Sequence, residues 1–318
     1  MTQSLPWFIA RRLVLLAVTL LAVSILIFVI TRVLPGDVAT MILGQYATPE
    51  DLATLRGRLG LDQPAVIQFL SWLGAALTGD FGVSTRFQLP VSDVLRQPLR
   101  NSALLGTVGV LFAVPAGLAL GLFCAVRRGS IWDHLISGVT VFMAAMPEFV
   151  TGGLLIIVFS TWLGWLPPFA GNSESPSLAR SASELILPVA SLSLVILAYI
   201  LRMMRASAAE ILASQFVKSA ILRGLSRHRI FLRHVLPMAL GPTLAVTALS
   251  IGWMAGGLVI VESLFGFPGI GRLLVFAIQN RDVPLLQAIS LIVASVYAVA
   301  NLGADVAQRL LDPRMALG

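Results

Sequence analysis

The sequence predicts an all-α integral membrane protein with six transmembrane helices and both termini in the cytoplasm. Three observations support this prediction: an apolar composition, six charge-poor windows of membrane-spanning length, and an uneven distribution of basic residues among the loops. Of the 318 residues, 57% are hydrophobic and 12% are charged, and the mean hydropathy is +0.91. Soluble domains hold about twice that share of charged residues. We interpret the net charge of +7 as the result of basic residues that are concentrated on one side of the membrane. A nucleic-acid surface is not expected, because no basic patch is interleaved with aromatic residues.

About 20 apolar residues cross a bilayer as a helix, so charge-poor windows of that length can be counted along the chain. The first window, residues 13–31, is longer than the apolar region of a cleaved signal peptide and is interpreted as a retained span. The other windows are 101–126, 135–171, 185–201, 235–261 and 283–304. Glu148 interrupts the third window, and the fourth is the shortest. The chain is therefore expected to cross the membrane six times.

The basic residues near the span ends indicate the orientation. With the N-terminus inside, the cytoplasmic side carries Arg11, Arg12, Arg127, Arg128, Arg202, Arg205, Lys218, Arg223, Arg227, Arg229, Arg233, Arg309 and Arg314. The two short outer loops then carry Arg180, Arg272 and Arg281. Because short cytoplasmic loops are enriched in lysine and arginine, both termini are predicted to be cytoplasmic.

Two parts of the chain are expected to differ in organisation. Residues 1–98 are predicted to hold the first span and an extracytoplasmic segment, and residues 99–311 a core of five spans with a cytoplasmic loop at 202–235. The outer segment is expected to be folded, because Thr48-Pro49-Glu50-Asp51 has the composition of a capped helix start. Turn residues follow at 59–64 and 79–82.

Motifs for common enzyme chemistry are absent from the sequence. No glycine lies close before the single lysine, Lys218, so the chain has no P-loop for ATP phosphates. The histidines His134, His228 and His234 do not form an HExxH motif, and GxSxG does not occur. Cys124 is the single cysteine, which excludes an internal disulfide. We expect no catalytic residue, no bound metal and no ATP site in this chain.

Glu148 is the acidic residue that lies deepest in a predicted span. It stands about 14 residues into the third window, or roughly 21 Å along a helix axis. Pro147 precedes it and should break or kink the helix. An unpaired carboxylate inside a membrane is costly, which makes it a functional candidate. In one interpretation Glu148 faces a translocation path and attracts a substrate ammonium group. In the other it is protonated, or paired with backbone N–H groups that the kink releases.

The loop between the fourth and fifth spans carries the most distinctive pattern. Apolar residues recur at helical spacing over 206–223, and Gly224 is expected to end that helix in a left-handed cap. A new helical stretch is expected from Leu225-Ser226, and the chain re-enters the membrane at Leu236-Pro237. Arginines that reach lipid headgroups would explain the charge of this loop, but they would not explain the glycine or the apolar face.

The residues of this loop resemble the EAA loop of ABC-importer permeases. That loop has the consensus E-A-A, three residues, G, nine residues and I-x-L-P, and Ala220, Gly224 and Leu236-Pro237 match it in type and spacing. The departures from the consensus are Lys218, Ser219 and His234, in place of Glu, Ala and Ile. A basic residue followed by serine or threonine is similar to the peptide-importer branch of the family.

Further short motifs in the same order along the chain resemble dipeptide and oligopeptide permeases. They are Leu34-Pro35-Gly36-Asp37, Leu59-Gly60-Leu61-Asp62-Gln63-Pro64, Gly79-Asp80-Phe81-Gly82, the stretch from Val261 to Arg272, Asp282-Val283-Pro284 and Asp312-Pro313-Arg314. Each motif is weak alone, and their common order makes the resemblance specific.

The resemblance implies a type I ABC importer permease fold in the bacterial cytoplasmic (inner) membrane. It implies a second homologous permease subunit, one or two ABC ATPase subunits that use ATP and Mg²⁺, and an extracytoplasmic substrate-binding protein. The residues implied in coupling to the ATPase are Phe216, Val217, Lys218, Ser219, Ala220, Arg223, Gly224, Leu236 and Pro237. Pro147 and Glu148 are the candidates for the translocation path.

Peptide import by alternating access is the function that the resemblance favours. Import of nickel, glutathione or opines by the same family is an alternative, because selectivity in such systems depends largely on the binding protein. A different class is a secondary transporter that needs no ATPase. Internal repeats and several carboxylates within the spans would favour that class, and the sequence has no clear repeat.

Overall fold

The computed structural model describes residues 5–33, 48–58, 62–171 and 178–311. The helices in this part of the chain are α1 (Leu5–Val33), α2 (Pro49–Arg58), α3 (Ala65–Leu77), α4 (Val91–Val126), α5 (Ile131–Ala145), α6 (Glu148–Leu155), α7 (Leu178–Ala213), α8 (Gln215–Leu222), α9 (Arg227–Ile230), α10 (Leu236–Leu264), α11 (Ile270–Gln279) and α12 (Val283–Leu311). Helix α6 continues as a π-helix at Ile156–Trp162, and α9 continues as one at Phe231–Val235. The motifs at 34–37 and 312–314, and residues 59–61 of the motif at 59–64, lie outside the described residues.

The described helices include the membrane-spanning segments that the sequence predicts. Five stretches are long and apolar enough to cross a bilayer: Pro6–Arg32, Val91–Val126, Ala182–Ala213, His228–Met254 and Val283–Gly303. The pair α5 and α6 is bent by 115° at Met146–Pro147 and provides a sixth span if it crosses as one unit. The all-α prediction is confirmed, and the break lies where Pro147 predicts it.

The fourth span is longer than its sequence window. Helix α7 continues past Arg202 and Arg205 to Ala213, because charged residues end an apolar window without ending a helix. The prediction of one helix over 206–223 is wrong. Ser214 separates α7 from α8, and its hydroxyl accepts a hydrogen bond from the backbone N–H of Val217 at 3.4 Å. A serine that caps a new helix in this way interrupts an apolar pattern that otherwise runs on.

The structure forms two compact units. The first comprises Met1–Leu13, Ala103–Phe267 and Val299–Gly318, and the second comprises Val14–Ser102 and Pro268–Ala298. The division of the chain at residue 98 stays a prediction.

In the first unit, α4 and α7 approach each other closely at two glycines one helical turn apart. A Cβ atom at Gly121 would lie 2.6 Å from the backbone oxygen of Leu201. At Gly117 it would lie 2.9 Å from side-chain atoms of Ile200. Small residues at i and i+4 permit this kind of close helix packing in membranes. The contact fixes the position of α7 relative to α4, and α8 follows directly after α7 in the chain.

In the second unit, the segment that the sequence predicts to be folded contains α2, α3 and a turn at 79–82. At the start of α2, the Thr48 hydroxyl accepts a hydrogen bond from the Asp51 backbone N–H at 3.2 Å, and the Asp51 carboxylate accepts one from the Thr48 backbone N–H at 3.3 Å. This is the reciprocal arrangement of a capping box. Gly79 and Gly82 have φ angles of 85° and 79°, which glycine adopts readily and other residues rarely do. The predicted helix start and the turn at 79–82 are therefore confirmed.

Asp282 connects the outer segment to the start of α12. Its buried carboxylate accepts a hydrogen bond from the Ser84 hydroxyl and from the backbone N–H groups of Thr85 (3.2 Å) and Arg86 (3.1 Å). It also caps α12 by accepting from the N–H of Leu285 at 3.3 Å. A buried carboxylate with several donors stabilises this arrangement, because each donor would otherwise lose its partner.

We expect Asp282→Ala to lower the free energy of unfolding by about 3 kcal/mol, because the Ser84 hydroxyl and the N–H groups would lose a buried acceptor. The midpoint of thermal unfolding in detergent micelles measures the effect. Asp93→Ala, in the first turn of α4, changes an exposed acid and is the matched control. Equal midpoints for the two variants would contradict the role of Asp282.

Candidate coupling helix and intramembrane glutamate

Helix α8 is short and ends in a Schellman motif. Gly224 has a φ angle of 77°, and its N–H donates to the carbonyl of Ile221 at 2.9 Å. The N–H of Leu225 donates to the carbonyl of Ala220 at 3.2 Å. These two bonds satisfy carbonyls that the helix end would otherwise leave unpaired. The left-handed cap predicted at Gly224 is therefore present.

The two faces of α8 have different surroundings. Val217 and Ala220 are buried in an apolar cluster of this chain, together with Met204, Ile230 and Val235. The side chains that the described residues leave exposed are Gln215, Phe216, Lys218, Ser219, Ile221 and Leu222, and that of Arg223, just after the helix. Leu222 is 88% exposed, although Val217 and Ala220 of the same helix are buried. The buried face attaches α8 to the spans, and the exposed face is open to a partner.

The chain returns to α8 just before the fifth span. The ring of His234 lies edge-on to that of Phe216, with 5.2 Å between the centroids. Leu236 packs against the same apolar cluster as Val217, and Pro237 lies exposed in the first turn of α10. The structure therefore brings the coupling residues predicted from the sequence together around α8.

A cavity of about 720 Å³ lies beside α8. Its lining residues come from the end of α4, from α7, from α8 and from the segment after Gly224, and include Val126, Leu212, Ile221 and Phe231. Close packing normally leaves few voids of this size. Helix α8 therefore has open space on one side.

Glu148 is the first residue of α6, directly after the break in the third span. Met146 and Pro147 are extended, with ψ angles of 139° and 142°. The half-buried Glu148 carboxyl group lies against Gly257 of α10, where an added Cβ atom would be 2.6 Å from its nearer oxygen. Among the described residues, Glu148 has no hydrogen-bond or ion-pair partner.

The two candidate sites lie at different depths on α10. Leu236 and Pro237 begin this helix, and Gly257 follows about 20 residues later, roughly 30 Å along the axis. The coupling residues and Glu148 are thus separate sites joined by one helix.

Leu222 and Gly257 are the site residues that sequence reasoning missed. The pair Gly256-Gly257 inside an apolar window was a usable signal of a close approach. Leu222 had no such signal, because its exposure depends on which face of α8 the spans cover. In the described part of the chain, no cluster of three metal-ligating side chains occurs.

Comparison with known proteins gives a consistent assignment. Residues 117–317 match the family described as binding-protein-dependent transport system inner membrane component, and residues 5–91 match the N-terminal part of such membrane components. The chain belongs to this family of permeases. The permease is 35% identical to a probable peptide ABC transporter permease protein of Sinorhizobium fredii, over 97% of this chain and 98% of the relative. It is also 35% identical to a glutathione transport system permease protein of Escherichia coli, over 96% and 97% respectively.

These matches confirm the predicted family and the type I importer permease fold. The permease is a multi-pass protein of the bacterial inner membrane and a subunit of an ABC importer.

The left-handed cap at Gly224 leads to a prediction about coupling. No atom within 4 Å would meet a Cβ at this position, so substitutions act through the backbone angle. A β-branched residue is strained there by about 1–2 kcal/mol, whereas asparagine tolerates the angle. We expect Gly224→Val to lower substrate transported per ATP about tenfold in proteoliposomes, without blocking membrane insertion.

Gly224→Asn is the matched control and should retain most of the coupling. Coupled transport at the wild-type ratio in Gly224→Val would contradict a role for this cap.

Proposed function

We propose that this permease forms one half of the pore of an ATP-driven importer of di- or oligopeptides. A second homologous permease subunit completes the pore, and one or two ABC ATPase subunits bind on the cytoplasmic side. An extracytoplasmic binding protein delivers the substrate. The observation that carries the proposal is α8, a short helix with a glycine cap, a buried inner face and an exposed Leu222.

In this proposal α8 is the helix that the ATPase contacts. Val217 and Ala220 fasten it to the spans, while Phe216 and Leu222 enter an apolar cleft of the ATPase. Lys218, at the exposed rim, meets acidic groups of the partner. The excess of arginine and lysine in this loop favours a cytoplasmic position for α8 and for both termini.

ATP and Mg²⁺ are used by the ATPase subunits in this proposal, and the permease is not an enzyme. Closure of the ATPase pair moves α8 and switches access to the pore from inside to outside. The family of the chain favours this division of labour over a secondary transporter. The absence of a P-loop from the sequence agrees with an ATP site on another subunit.

Peptides are the proposed substrate class, with glutathione as the second candidate. Each substrate is favoured by a relative that is 35% identical to this chain: one is named for peptide transport and the other for glutathione transport. The ligand bound by the binding protein that functions with this permease distinguishes them. Calorimetric titration with tripeptides and with glutathione would measure this preference, and binding of nickel or an opine alone would contradict both.

Glu148 is proposed to face the translocation path and to attract the ammonium group of a peptide. Two observations support this role: the half-buried carboxyl group has no described partner, and it lies at a break in a span. Such breaks are tolerated in a membrane where they line a cavity or are covered by protein.

The exposed face of α8 leads to a prediction about assembly. Burying a leucine side chain stabilises a contact by about 1.5–3 kcal/mol relative to its exposed state. We therefore expect Leu222→Asp to reduce co-purification of the ATPase with the affinity-tagged permease at least tenfold. Leu77→Asp makes the same change at a leucine that is 81% exposed at the end of α3, in the outer segment; it is the control and should leave co-purification unchanged. Normal ATPase recovery with Leu222→Asp, or no ATPase with the wild type, would contradict the proposal.

The Glu148 carboxylate leads to a prediction about substrate charge. Glu148→Gln should lower uptake of peptides with a free N-terminal amine about tenfold, while uptake of N-acetylated peptides changes little, because the lost attraction acts on the ammonium group. Glu210→Gln, at an exposed position of α7, is the control. Equal uptake of both peptide classes by Glu148→Gln and wild type would refute the role.

A further inference from the structure

An ion pair with a buried carboxylate joins α5 to α7. The Arg205 guanidinium donates two hydrogen bonds to the Asp133 carboxylate, from Nε at 2.5 Å and from a terminal nitrogen at 2.8 Å. The Asp133 side chain is 1% exposed and that of Arg205 is 34% exposed. This two-point contact fixes both the distance and the relative direction of the side chains, which a single bond would not do.

Asp133 also holds the turn that precedes α5. Its carboxylate accepts a hydrogen bond from the backbone N–H of Gly129 at 3.0 Å, while the Ser130 hydroxyl accepts from the N–H of Asp133 at 3.2 Å. These bonds form a reciprocal helix cap. One carboxylate thus ties together α7, the start of α5 and the turn between α4 and α5.

The pair lies close to the start of α8. Arg205 stands about 8 residues before the end of α7, or roughly 12 Å along the axis, and Ser214 follows as the cap of α8. A cavity of about 660 Å³ is lined by Arg128, Arg205, Glu210 and Ser214. Arg205 therefore borders the same space as Ser214, the residue that caps α8.

At its other end, α5 leads to the intramembrane glutamate. It runs from Ile131 to Ala145, and the 115° bend at Met146–Pro147 places Glu148 at the start of α6. Much of α5 is open in this structure, since Leu135, Val139 and Phe142 are each more than half exposed. The polar contact at its first turn therefore adds to the packing of Ile136 against the apolar cluster that includes Ile200 and Leu201 of α7.

We propose that Asp133 and Arg205 are positioning residues that make α5 move with α7. When α8 is displaced, α7 moves with it, and the ion pair makes α5 follow. The movement of α5 then changes the orientation of Glu148, which lies just after the break. The inference rests on the proposed function, because it assumes that an ATPase moves α8. A role in folding alone is a weaker explanation of the pair, since buried ion pairs are often replaced by uncharged residues without loss of stability.

The test uses the complete transporter in proteoliposomes, with both permeases, the ATPases and the binding protein, and a casein digest as the peptide probe. ATP hydrolysis is measured with and without the binding protein. The variants are Arg205→Lys, which keeps the charge but loses the planar two-point contact, and the double variant Asp133→Asn with Arg205→Gln, which leaves no unpaired buried charge. Arg202→Lys, exposed on the same helix, is the matched control.

We expect stimulation by the binding protein to fall about tenfold in both variants, within the range of couplings between distant sites. Co-purified ATPase and hydrolysis without the binding protein should stay at wild-type levels, and Arg202→Lys should behave as wild type. Wild-type stimulation in either variant overturns the inference. The inference is also overturned if stimulation falls only in proportion to the amount of folded complex recovered, because the ion pair would then have a structural role alone.

The wild-type transporter separates this inference from the proposed function. If the wild-type permease binds no ATPase, or if the binding protein does not stimulate hydrolysis, the proposed function fails. If the wild type is stimulated and the variants are too, the inference fails while the proposed function stands.

Discussion

Backbone N–H and C=O groups that a helix end leaves unpaired need other partners, and several turns between the described helices of this permease supply them locally. Gly224 closes α8 with two backbone hydrogen bonds, Ser214 and Ser130 cap new helices, and Asp282 collects the donors of an outer turn. The break before Glu148 follows the same logic, because Pro147 has no N–H to satisfy.

Helix α8 illustrates how a single amphipathic element can have two faces with different surroundings. Its buried face belongs to the apolar cluster of its own chain, and its exposed face carries the large apolar side chains of Phe216 and Leu222. The periodicity of the sequence indicated one apolar face and could not separate these two faces. Packing against α7 and α10 decides which residues are covered, so the division between Val217 and Leu222 emerges only in the folded chain.

The sequence was sufficient for features that depend on local chemistry. Span positions follow from apolar windows, the bend follows from Pro147, and the cap follows from Gly224, as the structure has them. It was insufficient where residues distant in the chain meet. Asp133 contacts Arg205 across 72 positions, and Ser84 contacts Asp282 across 198, and no local pattern specifies either partner. The end of α7 was also missed, since charged residues at a membrane surface remain compatible with a helix.

The glycine contacts between α4 and α7 have a consequence for the route of a solute. At Gly121 the backbones are so close that even a methyl group would lie 2.6 Å from a carbonyl oxygen of the facing helix. No ion or peptide fits through such a seam while the two helices stay in contact. The contact between α4 and α7 is therefore closed to solutes. The translocation path must lie between other helix faces, which can separate.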